Sequence, residues 1–163
     1  MKHVPFVILA ILLLCMGCTT GGDDDLETGT PQYMPAIEDQ LFVLTNAYRA
    51  ANGLNVLELH AGVRNVARNH SLDMAQRDYF NHTSPEGLNA GDRLNQACIA
   101  FSAWGENIGL VAGYSDPAQK VMDEWQASAE HRAVLLEPSF TLGGVGVVKT
   151  GDFYYFTQVL IRP

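Results

Sequence analysis

Apolar and polar positions divide the chain into three textures. Residues 7–14 form an uninterrupted apolar run behind Lys2 and His3. The run is too short to span a bilayer, which takes ~20 apolar residues, and it has the form of a signal segment. Residues 19–35 are rich in Gly, Thr, Asp and Pro and poor in large apolar side chains. Such a stretch cannot offset its ordering entropy and is expected to be a disordered tether. From Ala36 the helical period sets in: Ile37, Leu41, Leu44, Tyr48 and Ala51 share one stripe, and Gly53 is a stop. A second helix is predicted over residues 61–77, with Val63, Val66, Ala67, His70, Met74 and Ala75 inward and Leu57 and Leu59 packing its approach. Residues 81–91 are dense in turn formers and form a loop, followed by a short helix over 92–97. Ser115-Asp116-Pro117 is a capped start for a helix over 118–127 that buries Val121, Met122 and Trp125. The period then drops to two. Residues 143–148 and 153–161 are β-branched and aromatic, and the turn at 149–152 makes them a hairpin. Helices first and strands last predict an α+β domain, an antiparallel sheet covered by helices.

This pattern leaves room for one domain over residues 36–163, with residues 1–17 as signal peptide and 18–35 as a linker. Cys15-Met16-Gly17-Cys18 resembles the site at which bacterial lipoprotein precursors are cut, which would leave a lipid on Cys18 and the tether behind it. The competing reading is a plain secretory signal with an incidental thiol. Lipidation is favoured, because an anchor needs a flexible tether and one follows at once. Thr19 in place of an aspartate gives no inner-membrane retention signal, so the chain is expected to be exported and anchored to the envelope, on the outer membrane if the cell has one. The formal charge of −8 excludes nucleic acid as a partner, since phosphate contacts need clustered Lys and Arg. With Cys18 lipidated, only Cys98 remains, so no intramolecular disulfide staples the mature domain. Cys98 has apolar neighbours and is expected to be a buried, inert thiol. A monomeric domain is expected.

The candidate chemistry lies with the histidines and carboxylates. His60 precedes a helix and reads as a surface or capping residue; His70 on an inner helix face reads as a satisfied core histidine. His82 stands in the turn-rich loop, His131 follows Ser128-Ala129-Glu130, and Glu106 lies between them in a β-like segment flanked by glycines. A carboxylate near two imidazoles can fix their tautomers, raise their basicity or act beside a divalent metal. Ser84 and Ser128 read as turn and cap residues rather than nucleophiles.

Five stretches carry a resemblance: Leu44-Thr45-Asn46-Ala47-Tyr48-Arg49; His82-Thr83-Ser84-Pro85-Glu86-Gly87; Gly105-Glu106-Asn107-Ile108; Trp125 with Ser128-Ala129-Glu130-His131-Arg132; and Gly144-Val145-Gly146 with Tyr155-Phe156-Thr157-Gln158-Val159. In that order they resemble the CAP superfamily (cysteine-rich secretory, antigen 5 and pathogenesis-related proteins, also called SCP-like), particularly its bacterial branch. The resemblance implies an α-β-α sandwich with a cleft holding two histidines and two glutamates, which binds a divalent cation in several animal members. His82 matches the first histidine and Glu106 a glutamate; Tyr155 stands where the second histidine falls, and Ser128 where the second glutamate falls. His131 is then expected to supply the missing imidazole.

The leading expectation is a non-enzymatic, exported lipoprotein that binds a small molecule, lipid or envelope component in a cleft of His82, Glu106, His131, Tyr155 and Ser128. If a cation binds, zinc or calcium, its ligands would be His82 and His131. The rival expectation is a metal-assisted, protease-like hydrolase with Glu106 as general base.

Overall fold

A computed structural model describes residues 29–163. The apolar start, Cys18 and the tether up to residue 28 lie outside the described residues. In chain order the elements are β1 (Gln32–Tyr33), α1 (Pro35–Ala51), β2 (Glu58–Leu59), α2 (Ala61–Arg77), α3 (Ala90–Gln96), β3 (Ala103–Ala112), α4 (Pro117–Ala127), α5 (Ala129–Leu135), β4 (Leu142–Thr150) and β5 (Phe153–Arg162). The predicted hairpin is β4–β5, turning at Gly151 and Asp152.

The sheet runs β1-β4-β5-β3, with every neighbour on this path antiparallel. β2 departs from the all-antiparallel expectation and pairs in parallel with the start of β4. Successive strand residues face opposite sides, and on β4 that alternation sorts residues by size. Gly144 and Gly146 face α2. A Cβ added there would stand 2.3 or 2.2 Å from the backbone of Arg64 or Arg68, so the helix lies directly on the strand. Val145 and Val147 face the other way and join Leu41, Val121, Trp125, Leu135 and Phe156 in the main core. Helices on both faces make the expected sandwich.

The structure changes several local expectations. Gln32 and Tyr33, expected in the linker, instead form β1 and pair with Lys149 and Val148. The α1 stripe is shifted by one position: Glu38, Leu41, Thr45 and Arg49 are buried, Ile37, Leu44 and Tyr48 flank them, and Ala51 is exposed. Leu57 is buried but Leu59 is exposed, since β2 lies on the sheet edge. Cys98 is also exposed; the chain reverses there with φ +56°, which carries its side chain to the surface rather than into the core.

Candidate functional site

β3 is an edge strand, and Glu106 and Asn107 stand side by side on it facing opposite layers. On the α2 side, the Glu106 carboxylate is almost fully enclosed, its side chain 1% exposed. Its Oε1 is 2.8 Å from His82 Nδ1 and its Oε2 is 2.5 Å from Arg93 Nη2. A carboxylate beside a guanidinium only accepts, so His82 Nδ1 carries the proton. In the neutral ring Nε2 is then the acceptor, at the outer end of a side chain that is 51% exposed.

The loop that carries His82 is fixed at several points. α2 ends at Asp78 in the left-handed region, φ 52°. His70 Nε2 lies 3.0 Å from the Asn81 carbonyl, the satisfied core histidine expected from its place on α2. The Tyr79 hydroxyl donates to Asp73; burial and then that carboxylate push the phenol above its ordinary range. Asn81 Oδ1 accepts from the Thr83 N–H, and Ser84 Oγ accepts from Leu88 N–H. α3 starts with a reciprocal capping box between Asn89 and Asp92, which aims the next residue, Arg93, back at the loop. Arg93 Nη1 donates to the carbonyls of His82 (3.1 Å) and Leu88 (2.8 Å) while Nη2 holds Glu106. One guanidinium thus braces both halves of the site. Sequence reasoning missed it, because an arginine in a short polar helix reads as solvated; the Asn89-to-Asp92 capping spacing was the available signal for its direction.

On the opposite face a polar chain positions His131. Thr45 Oγ1 donates to the Leu41 carbonyl and accepts from Gln158 Nε2 (2.8 Å); Asn107 Nδ2 donates to Gln158 Oε1 and to the His131 carbonyl, both at 3.2 Å. The His131 ring lies 6.3 Å from that of Trp125, and its Nδ1 is buried with no hydrogen-bond partner among the described residues. Burial, and secondly the positive charge that protonation of nearby His82 would bring, push this imidazole below its ordinary pKa. The site therefore gathers His82, Glu106 and Arg93, with His131 within electrostatic reach.

Two expected members do not join them. Tyr155 pairs in register with Leu110, four residues along β3 from Glu106, and packs on Met74 and Ile108. Ser128 caps α5, its Oγ accepting from the His131 N–H. Neither position supplies the imidazole or carboxylate of the four-residue set. A divalent cation fits poorly here: both Glu106 oxygens are engaged, one of them by a cation, and no group of three or more His, Cys, Asp or Glu able to hold a metal occurs among the described residues. The hydrolase expectation fits poorly for the same reason, since a sealed carboxylate bonded to Arg93 cannot act as base on a water in the cleft.

Comparison with known proteins agrees with the fold. The chain is 35% identical over 127 residues to the uncharacterized protein YkwD of Bacillus subtilis (strain 168), covering 78% of this chain and 48% of that one. It is 38% identical over 125 residues to the uncharacterized membrane protein YlbC of the same organism, covering 77% and 34%. The chain thus spans less than half the length of the curated relatives it matches. Among solved structures, an extracellular protein containing a SCP domain from Bacillus anthracis str. Ames superimposes with TM-score 0.68 at 36% identity, over 79% of this chain and 41% of that one. An outer surface protein of Borrelia burgdorferi shares the fold, with TM-score 0.73 at 19% identity, over 82% and 98%. The pattern of the cysteine-rich secretory protein family, CAP, matches residues 42–160, most of the described domain, and the chain belongs to that family.

Proposed function

We propose that this chain is an exported CAP-domain lipoprotein, anchored through Cys18, that recognises an envelope component in the cleft of His82 and His131 without catalysing its turnover. The observation that carries this reading is the direction of the His82 ring. Its Nδ1 is spent on the enclosed Glu106, and the half-exposed ring offers Nε2 to a ligand hydroxyl or amide. A rigid imidazole with one fixed tautomer is suited to recognition, and no hydroxyl or thiol is hydrogen-bonded to it among the described residues. The extracellular relative from Bacillus anthracis supports display outside the cell.

The test is calorimetric titration of the full chain with soluble peptidoglycan fragments, in EDTA. Binding that His82→Ala weakens at least tenfold, about 1.4 kcal/mol, is the expected result; no binding, or an unchanged affinity in that variant, rejects the reading. Mass spectrometry of Cys18 tests the anchor, which an unmodified thiol would exclude.

A further inference from the structure

In several animal members the resemblance implies a divalent cation in this cleft, whereas here a guanidinium stands beside the cleft carboxylate. We infer that Arg93 is a built-in replacement for that cation, so that the His82–Glu106 pair works without a metal. An enclosed carboxylate needs a positive partner or hydrogen bonds to offset its lost hydration. A divalent ion supplies the charge by taking the oxygens as ligands, whereas a guanidinium supplies it through hydrogen bonds in fixed directions.

The geometry is of the second kind. Arg93 Nη2 reaches Glu106 Oε2 at 2.5 Å, and the arginine side chain is only 11% exposed. Its other terminal nitrogen is committed to two loop carbonyls, so it cannot swing aside to admit an ion without releasing the loop that carries His82. Like-charge repulsion from a guanidinium held this close adds to the barrier. The remaining carboxylate oxygen belongs to His82 Nδ1. The other two positions of the four-residue set agree with this. Tyr155 packs in the core and Ser128 caps a helix, so neither position retains a donor suited to a soft or borderline metal. Arg93 is accordingly a positioning residue: it fixes the carboxylate, and through it the tautomer of His82.

Zinc titration of the full chain at pH 7 tests this. In Arg93→Ala, zinc should bind at least tenfold more tightly, and the gain should vanish when Glu106→Gln is added. Arg93→Lys keeps a cation and should show no gain. Long-range proton–nitrogen spectra of the unaltered chain should show His82 protonated at Nδ1, identically with EDTA and with zinc. These spectra and the lysine variant decide the matter if Arg93→Ala does not fold. The inference is overturned if folded Arg93→Ala binds zinc no better, if Arg93→Lys gains affinity, or if EDTA changes the His82 tautomer. It rests on the His82 face proposed above as the recognition site, yet no envelope ligand enters the test, so loss of fragment binding bears only on recognition.

Discussion

Two carboxylates are enclosed against the α2 side of this molecule, each by an arginine, and they end differently. Glu38, at the start of α1, accepts from Arg68 Nε at 2.9 Å on both oxygens and from Nη2 at 2.6 Å, and its Oε1 also accepts from the Val147 N–H. Every partner is structural, and the cluster joins α1, α2 and β4. Glu106 has the same burial and the same kind of arginine, but its second oxygen holds an imidazole whose far side meets solvent. One cluster closes on the protein and the other opens toward a ligand. Burial and charge pairing alone do not distinguish a fastening from a site; the residue at which the network stops does.

The largest effect should come from breaking the closed cluster. Glu38→Ala is expected to lower stability by about 3 kcal/mol in urea unfolding, at the low end for a broken buried pair because Arg68 is partly exposed and can be rehydrated. Ligand affinity per folded molecule should not change. Glu106→Gln should cost less, about 1–2 kcal/mol, since the amide oxygen can still accept from Arg93, yet it should weaken fragment binding as much as His82→Ala does. If it destabilises as strongly as Glu38→Ala while binding survives, the contrast between the clusters collapses. His82→Ala should shift stability by less than about 1 kcal/mol, because half of the ring is already in water.

The smallest effect is a dependence on pH. Burial pushes the His70 and His131 imidazoles below their ordinary pKa. Below about pH 6.5 the unfolded chain takes up protons that the folded one resists, so this stability is complete above that value and is lost as pH falls toward the lower folded values. Urea midpoints at pH 7.5 and 5.5 should therefore diverge, and His70→Gln should narrow the gap. An unchanged gap would assign the dependence to other groups.

Much of the fold was legible because helical and strand periods differ and because capping side chains mark starts: Asp116 with Pro117 begins α4, and His60 caps α2 through its ring nitrogen. The α1 stripe was misread by one position for a physical reason. Arg49 is completely buried, donating to the carbonyls of Asn55, Leu135, Glu137 and Phe140, and hydropathy cannot anticipate a charge that satisfies itself on distant backbone. The site divides in the same way. His82 and Glu106 lay in motifs whose local composition announced them, whereas Arg93 matters through bonds to residues 11 and 13 positions away, visible only once the loop closes. Tyr155 erred in the other direction: its place in a motif suggested the cleft, but strand register carried it four residues along.

The glycines of β4 bear on how stiff this arrangement is. With Gly144 and Gly146 beneath it, α2 rests on the sheet backbone to backbone, without an intervening layer of side chains that could repack. The loop bearing His82 grows from the end of that helix, and Glu106 belongs to the same sheet. The two halves of the site are therefore referenced to a single rigid frame, and thermal drift between them should be small even though one half is a loop. A ligand would meet a surface already set to shape, and its affinity would not be reduced by the entropy of assembling one.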